Sequence, residues 1–157
     1  MGKARQILIP LAALAIIALL GAFHCLSAGK LHTVVEVFDG DTIALDDNTK
    51  VRLIGVDAPE VDSPYRKQEP FGEESRAYLT AFLLHKRVSI KVGNPPQDRY
   101  GRTLAYVYLG DVLVNGRIIR DGWASAYRRF HHPWRDLFLA YEKEARSRGI
   151  GMWEGDQ

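Results

Sequence analysis

The chain has 157 residues, 46% hydrophobic and 25% charged, with a formal net charge of +2. This composition excludes a disordered chain, a collagen-like fibre and a long repeat array, and the single cysteine excludes a disulfide scaffold or a cysteine-rich zinc site. A chain cut after Gly29 loses Lys3 and Arg5 and keeps 19 basic against 19 acidic side chains, so the net charge is no evidence for a polyanionic partner.

Lys3 and Arg5 precede an apolar run over residues 7–23, and Ser27, Ala28 and Gly29 follow. The pattern predicts a signal peptide cut after Ala28 or Gly29. Because only His24 and Ser27 are polar between residues 7 and 29, the alternative is an uncleaved membrane anchor. Either reading puts the body outside the cytoplasm, secreted, periplasmic or attached to the membrane through residues 7–29. Phe23 and His24 do not form the approach to a lipidated cysteine at Cys25.

Residues 30–157 read as one domain. Residues 32–38 (HTVVEVF) are a strand by β-branched content, and Asp39-Gly40-Asp41 is a turn into a second strand, Thr42–Leu45. Asp46-Asp47-Asn48 turns the chain again, and a third strand over 50–56 (KVRLIGV) completes a meander. Three prolines mark a loop over 57–70. Glu73 and Glu74 then open a helix to about residue 86, with Tyr78/Phe82 and Leu79/Leu83 at i, i+4 spacing. A strand over 88–92, a loop over 93–101 and a strand over Thr103–Leu109 follow. Val114–Arg120 is a short helix stopped by Gly122. Pro133 starts the last helix, in which Trp134, Leu137, Phe138 and Tyr141 form an apolar stripe and Gly149 is the stop. The order predicts an α+β, mainly β protein: a five-stranded OB-type Greek-key barrel with about three helices. Such barrels bind oligonucleotides or oligosaccharides on one face, and the fold alone does not decide between functions.

Charge is polarised along the body. Residues 31–98 hold 8 basic and 12 acidic side chains, whereas 99–148 hold 10 basic and 5 acidic. Asp39 and Asp41 flank Gly40, and Asp57 and Glu60 flank Ala58-Pro59 at the end of the third strand. In a meander the start of strand two lies near the end of strand three, so Asp41 and Asp57 can converge on a hard cation such as Ca²⁺. Taken singly, each pair also reads as an ordinary turn. Strict alternation puts Arg52 and Asp57 on opposite faces, and a twist or bulge near Gly55 is needed to unite them. Arg99 and Arg102 flank Tyr100-Gly101 and are suited to gripping a phosphate, or to a polar hairpin. Tyr127 precedes Arg128 and Arg129 and offers a stacking face, or a core tyrosine. His131-His132 lacks metal-ligand spacing and reads as a loop.

Asp-Gly-Asp-Thr, then Arg-Leu-Ile-Gly-Val-Asp-Ala-Pro-Glu, then Asp-Arg-Tyr-Gly-Arg-Thr-Leu-Ala-Tyr-Val, in this order, closely resembles the staphylococcal nuclease family over residues 34–153. The resemblance implies a calcium-dependent nuclease acting on DNA and RNA as a monomer and leaving 3′-phosphate products. It implies that Asp41 and Asp57 ligate Ca²⁺ by carboxylate and Ala58 by its main-chain carbonyl. Arg52, Glu60 and Arg102 would be catalytic, and Arg99, Tyr100 and Tyr127 would line the nucleotide pocket. Two features depart from the pattern: alanine stands at position 58 where threonine is familiar, and residues 124–130 differ in length and tyrosine spacing. The alternative is a catalytically silent nucleic-acid-binding barrel, expected to have lost a metal carboxylate, Glu60 or an arginine. This sequence keeps them all.

Overall fold

β-Branched and aliphatic residues alternate along the first strands, and the side chains pointing inward fill a barrel. The computed structural model describes residues 30–62 and 67–155, so the leader expected over residues 1–29 lies outside the described residues. Strands β1 (Leu31–Val37), β2 (Thr42–Leu45) and β3 (Lys50–Leu53) form the antiparallel meander. Strand β5 (Arg87–Gln97) pairs antiparallel with both β1 and β6 (Thr103–Leu109). Parallel pairing of β3 with β6, Val51 opposite Thr103 and Leu53 opposite Ala105, closes five strands into the expected barrel. Val34, Ile43, Leu45, Val51, Leu53 and Val107 are fully buried inside it.

Among the described residues three α-helices cover the barrel: α1 (Gly72–Leu83), α2 (Val114–Arg120) and α3 (Arg135–Ser147). Helix α1 contributes Leu79 and Leu83 to the core, and α2 contributes Ile118 and Ile119. Two-residue strands complete the order: β4 (Val56–Asp57), β7 (Val112–Leu113) and β8 (Ser125–Ala126), with β4 antiparallel to β8. A short 3₁₀ turn, Gly151–Trp153, ends the described chain. Among the described residues no helix is long and apolar enough to cross a membrane.

Four expectations need correction. The third strand stops at Leu53, because the chain turns at Ile54–Gly55 with Gly55 at φ 77°, and resumes as β4. The loop expected over 93–101 is partly strand. Pro95 and Pro96 lack an N–H, so the β5–β6 ladder breaks after Val92–Ala105 and resumes at Gln97–Thr103. Helix α1 ends at Leu83, short of residue 86, and His85 adopts φ 63°. In α3 the buried face is Phe138, Glu142 and Ala145, at i, i+4, i+7. Trp134 precedes the helix and Leu137 lies one residue off that face, so both are exposed. A glutamate takes an inner position that the apolar stripe did not suggest.

Candidate active site

Two turns bring the carboxylates together. Thr42 pairs with Arg52 in the β2–β3 ladder, which sets Arg52 beside the loop that carries Asp41. The Arg52 Nη1 lies 2.6 Å from Asp41 Oδ2 and donates to the Val56 carbonyl at 2.9 Å. Its Nη2 is 3.9 Å from Asp57 Oδ1. The Gly55 turn removes the alternation conflict: the chain reverses within two residues, and the long guanidinium side chain spans the reversal. Both predicted carboxylates therefore meet one arginine.

Asp41 is buried, while the Asp57 side chain is half exposed. Asp41 Oδ1 accepts from the Thr42 hydroxyl at 2.9 Å, and Oδ2 accepts from the Ala58 N–H at 3.1 Å. Ala58 thus meets Asp41 through its N–H. Burial pushes the Asp41 carboxyl up to about 7; Arg52 opposes this, and the neighbouring Asp39 charge reinforces it. Asp39 also shapes the turn, its Oδ1 accepting from the Asp41 N–H at 2.9 Å.

Glycine at position 40 is a packing requirement. A Cβ there would lie 1.9 Å from Ser75 Oγ and 2.6 Å from Ala58 Cβ. Its absence lets α1 press against the Asp41 turn. The Ser75 hydroxyl donates to the Trp123 carbonyl at 2.7 Å, tying the same contact to the segment after α2.

Arg102 joins from the start of β6. Its Nη1 donates to Thr42 Oγ1 at 3.3 Å, so Arg102, Thr42 and Asp41 form a chain. Asp98 fixes Arg102 twice, Oδ2 accepting from Nε at 2.8 Å and Oδ1 from the main-chain N–H at 3.0 Å. Burial tends to raise the Asp98 carboxyl, but the bonds from Arg102 and Tyr100 outweigh it and hold the group below its usual range. Arg99 and Tyr100 sit beside this clamp. Arg99 Nη2 donates to the Tyr100 hydroxyl at 2.6 Å, and the Arg99 and Arg102 guanidinium carbons lie 4.8 and 5.5 Å from the Tyr100 ring. Tyr100 is 61% exposed, which leaves it accessible for stacking.

Glu60 is held through its backbone. Its N–H donates to Glu69 Oε2 at 3.1 Å, and its carbonyl accepts the Glu69 N–H at 2.9 Å. A Cβ on Gly72 would lie 2.2 Å from the same carbonyl, so the first turn of α1 abuts it. Asp57, Ala58, Pro59, Glu60, Glu69 and Ser125 line a common open cleft. Tyr127 donates its N–H to the Gly55 carbonyl at 2.9 Å, and its ring lies 5.6 Å from Phe130, tilted by 37°. It is half-buried beside the turn that carries β4.

The structure therefore unites Asp41, Arg52, Asp57 and Ala58 directly and links Arg102 to them through Thr42. Glu60 shares the cleft with Asp57. Arg99 and Tyr100 group around Arg102, and Tyr127 attaches to the Gly55 turn. Sequence reasoning did not single out Thr42, Asp98 or Glu69 for these contacts. Thr42 and Asp98 stood inside the quoted motifs; Glu69, beside a proline in a loop, carried no signal. Asp41 and Asp57 carry hard carboxylate oxygens beside one arginine, and the buried Asp41 carboxylate gains from a compensating cation. This donor chemistry fits a hard divalent cation.

Comparison with known proteins shows which chains this one resembles. The family model described as "Staphylococcal nuclease homologue" matches residues 50–155. A thermonuclease of Staphylococcus intermedius is 38% identical over 132 residues, covering 80% of this chain and 77% of the relative. A thermonuclease of Staphylococcus hyicus is 33% identical over 128 residues, covering 79% and 76%. A micrococcal nuclease of Shigella flexneri is 35% identical over 132 residues, covering 76% and 71%.

Proposed function

This chain belongs to the staphylococcal nuclease family and is a nuclease, and on that premise we propose that it hydrolyses phosphodiester bonds in DNA and RNA with Ca²⁺, leaving 3′-phosphate products. The observation that carries this reading is the single Arg52 guanidinium touching the buried Asp41 and facing the half-exposed Asp57. Asp41, Asp57 and the Ala58 carbonyl would hold the ion, which when bound neutralises a phosphate oxygen as a Lewis acid. Glu60, kept in place by Glu69 and Gly72, orients the attacking water and accepts its proton. Arg52 and Arg102 are preorganised by fixed acceptors and face the charge that builds on the pentacoordinate phosphorus, Arg102 towards the leaving 5′ oxygen. Arg99 and Tyr100 grip the adjoining phosphate and base, and Tyr127 offers a second stacking face. Nothing in this arrangement inserts a helix into a groove, so cleavage has little sequence preference.

Digestion of DNA and RNA in calcium and then in excess chelator tests the reading. Activity is expected on both polymers in calcium, with loss in chelator; full activity in chelator refutes the metal role.

The apolar run after Lys3 and Arg5 supports export of the nuclease body, soluble or membrane-held. Cell fractionation with mass analysis of the mature N-terminus tests this. Recovery of the uncut chain as a soluble cytoplasmic protein overturns it.

A further inference from the structure

At the end of β2 remote from Asp41, a buried imidazole faces two carboxylates. His32 in β1 is only 7% exposed, yet its Nδ1 makes no hydrogen bond. That nitrogen lies 3.2 Å from Asp47 Oδ2 and 3.6 Å from Asp46 Oδ1, both in the β2–β3 turn. The three donor atoms lie within 4.8 Å of one another. Nitrogen and oxygen donors bound tetrahedrally to Zn²⁺ at about 2.0–2.2 Å stand about 3.3–3.5 Å apart. The observed spacings bracket that separation.

The surrounding backbone fixes the donors without a metal. The Asp46 N–H donates to the Thr33 carbonyl at 2.9 Å, tying the turn to the residue after His32. The Thr49 N–H donates to Asp47 Oδ1 at 3.1 Å, so this oxygen is engaged while Oδ2 faces the imidazole. One imidazole with two carboxylates matches a borderline divalent ion such as Zn²⁺; Ca²⁺ takes 6–8 oxygens. The carboxylates are partly exposed, giving an entry path, and Lys30, its Nζ 3.8 Å from Asp47 Oδ2, sits on a largely exposed side chain that can withdraw.

We propose that His32 Nδ1, Asp46 and Asp47 form a second metal site, for Zn²⁺ or a similar transition-metal ion, which clamps β1 to the β2–β3 turn. The site uses no residue of the nuclease centre. Four residues of β2 separate Asp41 from Asp46, five steps or about 16 Å at the usual rise per residue. The bound ion stabilises the folded chain by an amount that grows with the logarithm of its concentration over the dissociation constant.

The test is calorimetric titration of the chelator-stripped full chain with Zn²⁺, with Co²⁺ absorption as a report on coordination. One Zn²⁺ per chain, a thermal midpoint that rises with Zn²⁺ and a tetrahedral Co²⁺ spectrum are expected. His32→Gln and Asp47→Asn should each weaken binding beyond the roughly 10- to 100-fold that loss of an outer-shell partner costs. Asp41→Asn should bind Zn²⁺ like the wild type, which separates this site from the nuclease centre. Asp47 lies on a partly exposed turn, so its variant carries the test if His32→Gln does not fold. No Zn²⁺-dependent rise in the midpoint, or Zn²⁺ uptake unchanged in both variants, overturns the proposal and leaves His32 as an ion-pair partner only.

Discussion

On the proposed mechanism, a positive charge alone does not suffice at Arg52 and Arg102. Arg52 directs separate N–H groups to Asp41 and the Val56 carbonyl while facing Asp57, and Arg102 spans Asp98 and Thr42. A lysine offers one compact ammonium and cannot hold two directions at once. Arg102→Lys and Arg52→Lys are each expected to lower kcat by on the order of 10²–10³. Steady-state kinetics with thermal melts as a fold check measures this. Near-wild-type turnover in a folded variant would reduce that arginine to a surface charge.

At the scale of elements, the site depends on how closely four segments pack. Gly40 lets α1 approach the Asp41 turn, and Asn115 of α2 secures the turn after β3. The fully buried Asn115 side chain accepts from the Val107 N–H at 2.9 Å and donates to the carbonyls of Ile54 and Ala105 at 2.9 and 3.2 Å. Gly40→Ala forces a Cβ onto Ser75 and Ala58, a form of overpacking that costs about 1–3 kcal/mol. Asn115→Ala strands a buried N–H and loosens Ile54, costing about 1–3 kcal/mol for the unsatisfied group. Urea unfolding measures both, and both variants should lose activity beyond their loss of folded population, because each shifts a turn that carries a site carboxylate. A second brace reaches Asp57 from α3. The buried Glu142 accepts the Ala126 N–H at 3.0 Å and pairs with Arg128 and Arg146, each at 2.9 Å. Ala126 belongs to β8, whose partner β4 carries Asp57.

For the whole molecule, pH acts through buried groups of opposite sign. His132 lies behind the Gly55 turn between Tyr106 and Phe138, and neither ring nitrogen has a hydrogen-bond partner. Burial holds its imidazole below the usual value of 6.5, with His131 and Arg135 adding repulsion. The unfolded chain then binds a proton more readily, so this stability is present above about 6.5 and is lost as the pH falls through the folded value. Asp41 works the other way: its contribution is present below the usual 3.8 and lost as the pH rises through about 7. Comparing thermal midpoints of wild type and His132→Phe between pH 7 and 5 isolates the histidine. The wild type should lose more on acidification than the variant, and parallel profiles would refute the assignment.

Local features determine much of this protein without reference to any tertiary contact. β-Branched runs, the Asp-Gly and Asp-Asp-Asn turns and the Gly122 and Gly149 stops set the strands and helix ends, because backbone preferences act over a few residues. The ordered motifs identified Asp41, Arg52, Asp57 and Arg102, which the fold gathers. Other features were decided only by the folded chain. Glycine at 40 reads in the sequence as a turn residue, yet the space a Cβ would need is taken by Ser75. The Arg52–Asp57 conflict yields only when the Gly55 turn is seen. Glu142 in a helix reads as a solvated charge, and its burial depends on Ala126 and Arg128, sixteen and fourteen residues away. His32, Asp46 and Asp47 come together because β1 pairs with β2. Turn chemistry is written in neighbouring residues, whereas the environment of a charge is written by whatever the closed barrel packs against it.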